Sequence, residues 1–207
     1  MDKNYWESIY QKPLDQLPWE ITSIPTELDF VLSKNWIKKD GRVLDVACGT
    51  GNYSFILAKK GFFVEGIDIS ETAISIAKSK SLNLDSSYFR PHFRSMDVFD
   101  IPFRFAGKFN LIFDYSLFHH IPHKDTIRYL SIMSNQLNQK GKYVLVCYSL
   151  DDSSGQATAT GKFGNEIYYR SADEIRKSIF GVKEIHYSQT TLGKNNHHKA
   201  HFFVFEK

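Results

Sequence analysis

Cysteine is scarce: the 207 residues hold two, Cys48 and Cys147, with neither metal-ligand spacing nor the paired pattern of a disulfide framework. That scarcity fits a reducing, cytoplasmic location. No apolar run approaches the roughly 20 residues of a membrane span, and the first ten, MDKNYWESIY, lack an apolar signal core. Neither sign of charge is in excess. With 26 basic and 23 acidic residues the net charge is +3, too weak a balance to argue for nucleic acid. Of eight histidines, six fall in two clusters, His119, His120, His123 and His197, His198, His201. No cysteine or paired carboxylate completes a ligand set around either cluster, so no metal is expected. Hydrophobic content of 42% and charged content of 24% are those of an ordinary globular chain, long enough for one domain over 1–207.

What is present is organised around Arg42 to Ser54, RVLDVACGTGNYS. Val43, Leu44 and Val46 lead into Ala47, Cys48, Gly49 and Gly51, and then into helix-compatible Phe55 to Lys60, which reads as strand, tight turn, helix. Gly49 and Gly51 allow left-handed backbone and a close approach by a ligand. A dinucleotide pyrophosphate on such a turn wants GxGxxG and the positive end of a helix. Here the sixth position is Ser54, and Asp45 stands near the top of the strand. A fixed negative charge repels a pyrophosphate and suits a cation, so Asp45, Ala47, Gly49 and Gly51 are expected to cradle a positively charged nucleoside.

Along the chain, residues 1–25 supply Tyr5, Trp6, Tyr10 and Trp19 with no clear period. They read either as a segment pinned down by aromatic burial or as a lid over a ligand. A helix is predicted over Thr26 to Lys38, with Gly41 stopping it. The second strand, Phe62 to Ile69, ends at Asp68 and Ile69, where a carboxylate can accept from both ribose hydroxyls; Ser70 is better placed to cap the next helix. Pro91 in the third strand suits a sheet edge. Asp97 is either a turn cap or an acceptor for an adenine amino group, with Val98 packing on the ring. Phe109 to Tyr115 is a continuous apolar strand of the kind covered on both faces. A helix over Thr126 to Leu137 and a fifth strand over Lys142 to Ser149 follow. Residues 150–170 read as a flexible cover loop, Ser171 to Phe180 as a helix with a capping box, and Val182 to Ser188 with Ala200 to Phe205 as a final antiparallel pair.

The run from Val43 to Gly51, [VIL]-L-D-x-[AG]-x-G-x-G, resembles the first motif of class I S-adenosylmethionine-dependent methyltransferases. The resemblance implies an α/β, three-layer Rossmann-like fold with a seven-stranded, mostly parallel sheet in the order 3-2-1-4-5-7-6, the last strand antiparallel. It also implies S-adenosylmethionine as cofactor, leaving as S-adenosylhomocysteine. WESIYQKPLDQLPWEITSIP ahead of the turn and FNLIFDYSLFHHI after it look like the thiopurine S-methyltransferase superfamily, which includes thiol and halide methyltransferases. That likeness covers residues 5–148. It implies that Trp19 helps cover the donor, with Glu20 in place of the usual aspartate, and that Asp114 and Tyr115 flank the methyl site, Asp114 also touching the donor. His119 and His120 stand where Cys-Ala is common, and Asp151 to Gly155 replaces the Gly-Pro-Pro run of the family. The amide-recognising DPPY or NPPY corner and a Pro-Cys nucleophile are both missing, which tells against bases in nucleic acid as acceptors.

The expected reaction is in-line methyl transfer to a small-molecule thiol or other soft nucleophile by a monomer or weak dimer, without nucleic-acid or membrane partners. Tyr10, Phe118 and Tyr115 predict a partly apolar acceptor pocket. His119 or Asp114 is the candidate base if the acceptor is oxygen or nitrogen. A donor-binding regulatory module and a nicotinamide oxidoreductase are the alternatives; Asp68 would serve the latter equally well, whereas Asp45 argues against it.

Overall fold

The computed structural model describes residues 2–105, 108–153, 155–193 and 198–207. Two helices, α1 (Lys3–Tyr10) and α2 (Thr26–Ser33), precede the first strand. Strands and helices then alternate as β1 (Arg42–Val46), α3 (Asn52–Lys59), β2 (Phe63–Asp68), α4 (Glu71–Ser81), β3 (His92–Ser95), α5 (Ile101–Arg104), β4 (Phe109–Tyr115), α6 (Thr126–Asn135) and β5 (Leu137–Tyr148). A small antiparallel pair, β6 (Thr158–Thr160) and β7 (Glu166–Tyr168), is followed by α7 (Ala172–Ser178), β8 (Lys183–Leu192) and β9 (His198–Glu206).

The main sheet runs β3-β2-β1-β4-β5-β9-β8. Strands β1 to β5 pair in parallel, and β9 lies antiparallel to both β5 and β8. Because β6 and β7 form a sheet of their own, this is the order 3-2-1-4-5-7-6 that the resemblance implies.

Helices cover both faces, so the central strands are apolar on both sides and successive residues feed opposite layers. Leu44, Val46, Ile112 and Leu145 pack with Leu130 and Met133 of α6 and Ile175 of α7. Val43, Phe113, Val144 and Val204 pack with Leu28 and Val31 of α2 and Leu57 of α3. This rigid centre holds the carboxyl ends of β1, β2 and β4 in fixed relation.

Some elements differ from expectation. Helix α2 stops at Ser33 because Asn35 enters the left-handed region at φ 53°, although Ile37 is still buried. Pro91 lies just ahead of β3, which is indeed the edge strand. The stretch read as a flexible cover carries β6 and β7, whose hydrogen-bonded backbone lines the site described below. Among the described residues no helix is long and apolar enough to cross a membrane.

Candidate active site

The turn after β1 places three residues in the left-handed region: Ala47 at φ 54°, Gly49 at 54° and Gly51 at 83°. Crowding adds to the need for glycine. A Cβ on Gly49 would lie 2.6 Å from the Tyr10 hydroxyl, and one on Gly51 would lie 2.7 Å from Cζ of Phe93. The closest approaches to these two glycines are therefore made by protein side chains, one from α1 and one from β3.

Above the turn opens a cavity of about 930 Å³. Its lining includes Trp19, Asp45, Ala47, Gly49, Asp68, Ile69, Val98, Tyr115 and His119, so most of the residues singled out in the sequence converge here. Gly51, Asp97 and Asp114 lie outside the lining.

At one end the cavity is acidic. Asp68 ties the turn to the end of β2, accepting the Gly49 N–H through Oδ2 and the Ser70 N–H through Oδ1, both at 2.9 Å. Ser70 caps α4, as expected, by accepting the Ala73 N–H. Asp45 accepts the Ser54 hydroxyl at 2.6 Å. Burial, with the Asp68 charge adding to it, pushes the Asp45 carboxyl up to about 7; burial alone among the leading causes takes Asp68 up to about 6. Among the described residues neither carboxylate has an ion-pair partner. A third acid, Glu20, accepts from Thr50 Oγ1 at 2.8 Å and Asn52 Nδ2 at 2.9 Å, with Lys80 Nζ at 3.9 Å. Asp45 beside the turn repels a pyrophosphate, and two buried acids without a cation leave the place of a positive charge to a ligand. The donor set thus fits a sulfonium and an ammonium on an adenosine.

Three expectations change. Asp114 faces away from the cavity because side chains alternate along β4 and Tyr115 takes the cavity side. Its fully buried carboxylate accepts from Tyr129 Oη at 2.7 Å, Tyr143 Oη at 3.0 Å and the Leu117 N–H at 3.1 Å, bracing the loop after β4 instead of touching donor or acceptor. Asp97 caps a short turn by accepting the Phe99 N–H at 2.9 Å and opens onto a separate hollow, while its neighbour Val98 lines the cavity. Phe118 is likewise core, stacked on Tyr129, rather than part of the acceptor pocket.

His119 is buried, stacked on Tyr148 at 3.9 Å, and its Nδ1 accepts the Tyr148 N–H at 3.3 Å. Burial pushes its pKa well below the usual range, so the ring is neutral and the proton sits on Nε2. This ring presents a donor, not a base. His120, brought down to about 4 by burial, is half-buried and packs its ring 4.9 Å from Trp6 under the cavity roof. Ser116, at φ 79°, sets the sharp exit from β4 that aims this loop at the site.

The roof is the amino-terminal segment. Trp6 and Tyr10, an i,i+4 pair on α1, line the cavity with Trp19, whose indole N–H donates to the Tyr10 hydroxyl at 3.2 Å. Tyr10 is buried, while Trp6 and Trp19 line the cavity on the side of this segment. Glu7 latches the helix by accepting from Ser70 Oγ at 2.8 Å, the Thr72 N–H at 3.1 Å and the Thr72 hydroxyl. Neither this latch nor the contributions of Phe163, Asn165 and Ile167 from the β6-β7 region carries a sequence motif; the Trp6-x3-Tyr10 spacing was the one available signal. Among the described residues no group of three His, Cys, Asp or Glu could hold a metal ion; His197, part of the second histidine cluster, lies outside them.

A parallel sheet whose first two strands end in buried acids beneath a roofed cavity defines a class: the fold is that of solved S-adenosylmethionine-dependent methyltransferases. The chain belongs to the methyltransferase domain family, whose match covers residues 37–195. It is 28% identical to an uncharacterized methyltransferase of Staphylococcus carnosus, over 68% of this chain and 63% of that protein. It is 30% identical to a probable thiol methyltransferase of Arabidopsis thaliana, over 72% of this chain and 64% of that protein. The chain thus spans somewhat less than two thirds of these two relatives. The N-methyltransferase NodS of Bradyrhizobium japonicum, solved with S-adenosylhomocysteine, superposes over 100% of this chain and 99% of its own with a TM-score of 0.70 at 14% identity.

The raised acids have a measurable consequence. Their contribution to the stability of the free protein is full below the ordinary carboxylate range near 4 and is lost as pH rises through about 6 and 7. A bound cation favours the ionised forms, so donor affinity climbs over that interval. The rise in melting temperature on adding S-adenosylmethionine is expected to grow from about pH 5.5 to about pH 8 and then level off. A flat profile in differential scanning fluorimetry would remove the two acids from the donor site.

Proposed function

We propose that this chain transfers a methyl group from S-adenosylmethionine to a small, soft nucleophile, with a thiol as the leading acceptor. The observation that carries the reading is the pair Asp45 and Asp68, buried at the carboxyl ends of β1 and β2 with no cationic partner among the described residues. When bound, S-adenosylmethionine supplies a methyl group already activated on a sulfonium. Asp68, Gly49 and Ile69 would hold the nucleoside, Val98 and Met96 its base, and Asp45 the positive end, under the Trp6 and Trp19 roof. What the protein adds is alignment and exclusion of water, and orientation of this kind contributes up to roughly 7–11 kcal/mol.

Asp114 is turned into the core, and His119 already uses Nδ1 to accept a backbone N–H, so neither of these two candidate bases is placed to take a proton from an alcohol or amine. A thiol ionises near neutral pH and needs little such help. The aromatic acceptor walls, Tyr115, Tyr148 and Trp19, suit a polarisable sulfur, and the Arabidopsis relative adds support.

Incubating the protein with S-adenosylmethionine and a panel of thiols, thiopurines, halides and chalcogen oxyanions, and measuring S-adenosylhomocysteine release, tests this. Turnover with thiols is expected; turnover confined to oxygen or nitrogen acceptors would refute it. With a thiol acceptor, His119→Ala is expected to lower kcat by about tenfold or less, against the 10²–10⁴ typical of a lost general base. A larger loss, accompanied by disappearance of an ionisation from the kcat–pH profile, would restore His119 as the base.

A further inference from the structure

The loop after β4 that carries both cavity histidines is held from behind by Arg170 as well as by Asp114. Arg170 is 1% exposed. Its guanidinium donates to the carbonyls of Phe118 at 3.3 Å, Ile121 at 2.5 Å and Tyr168 at 3.2 Å, and to Thr126 Oγ1 at 2.9 Å. Its central carbon lies 4.3 Å from the centroid of the Phe118 ring. The side chain thus joins the acceptor loop, the start of α6 and β7 in one clamp.

Every one of these partners is neutral. Among the described residues no carboxylate comes within ion-pair distance of Arg170. Arginine stays charged at any working pH, and a buried cation without a counter-charge is costly. The carbonyls and the ring offset part of that cost by hydrogen bonding and cation–π attraction, but they do not neutralise the charge. Arg170 itself lies outside the cavity lining, and its charge, which the Glu174 carboxylate favours from beyond ion-pair distance, opposes protonation of His119. Lys162 also lines the cavity, and the His119 Nε2–H adds a neutral donor. Asp45, Asp68 and Glu20 line the same cavity, so acidic and basic groups both face its interior.

We propose that Arg170 is the positioning and specificity-determining residue for the acceptor: it sets the loop bearing His119 and His120 through the Phe118 and Ile121 carbonyls, and its unneutralised charge favours acceptors that bind as anions, such as a thiolate, over neutral ones. This rests on the methyl-transfer reading above. It also accounts for a thiol site that does not depend on His119 or Asp114 as a base, since the field lowers the thiol pKa and the proton leaves to solvent before transfer.

The test uses thiophenol, whose thiolate absorbs at longer ultraviolet wavelength than its thiol, bound to protein saturated with S-adenosylhomocysteine and titrated from about pH 8 towards acid. Wild type is expected to lower the pKa of the bound thiol by about 1 or more, a ratio of thiolate to thiol at least about tenfold higher than in free solution. Arg170→Lys keeps the charge and most of that lowering, although its single ammonium cannot span the carbonyls and binding weakens. Arg170→Gln loses the lowering. Affinity for S-adenosylhomocysteine changes by no more than about twofold in either variant, which shows an intact fold and cradle. A lowering that survives in Arg170→Gln, or that is missing in wild type, overturns the proposal; if the same wild-type preparation still methylates thiols, the methyl-transfer reading stands without it. If the thiol neither binds nor turns over in wild type, both fall.

Discussion

Replacing Asp68 by asparagine is expected to weaken binding of S-adenosylmethionine by about a hundredfold or more. The carboxylate has two oxygens, each already accepting one backbone N–H, with lone pairs left over for ribose hydroxyls. A charge-assisted hydrogen bond contributes about 1.5–3 kcal/mol, so losing the charge for two hydroxyls costs about 3 kcal/mol or more, and every 1.4 kcal/mol is tenfold. Asparagine also offers an amide donor where one of two N–H donors, from Gly49 or Ser70, needs an acceptor, so the turn itself loosens. Calorimetry gives the affinity, and circular dichroism confirms that the variant folds. A change of less than about threefold would detach Asp68 from the nucleoside.

The second large effect belongs to Gly49→Ala. The new methyl group would sit 2.6 Å from the hydroxyl of Tyr10, a side chain itself buried and bonded to Trp19. Left-handed backbone at φ 54° costs a non-glycine residue roughly 1–2 kcal/mol more. The clash is relieved most readily if α1 swings away, which exposes the amino-terminal segment and unroofs the cavity. Limited proteolysis is expected to cut that segment much faster in Gly49→Ala, with donor affinity down about tenfold. Adding Tyr10→Phe removes the clashing oxygen and leaves the ring carbon at 3.6 Å, an ordinary contact. The double variant is therefore expected to regain roof protection and most of the affinity, a coupling that additive effects would not produce. Equal protection in wild type and Gly49→Ala would mean that Tyr10 does not press on the turn.

How much of this was legible in the sequence depended on whether a residue's role follows from its neighbours in the chain. The Val43 to Gly51 turn could be read because strand, glycine and helix signals are adjacent, and Asp68 because it ends a strand next to that turn. For Asp114 and Tyr115 the strand itself decides: consecutive residues face opposite sides, so only one of the two can flank the site. Helix α1 was missed because its eight residues are too few for propensity to decide; it is held by Glu7 and Tyr10, whose partners lie some forty to sixty residues away. Arg170 had no motif at all, since its meaning comes only from the three segments that fold around it. The proton position of His119 has no signal in its own neighbourhood, because the hydrogen bond that fixes it comes from the backbone of Tyr148, a residue on another strand.

The most direct test of the donor assignment is isothermal titration of the wild-type protein with S-adenosylmethionine and, separately, with NAD at neutral pH. Saturable one-to-one binding of the sulfonium compound with no heat from NAD is the expected result, because the buried Asp45 beside the turn repels a pyrophosphate. Binding of NAD, with none of S-adenosylmethionine, would contradict it.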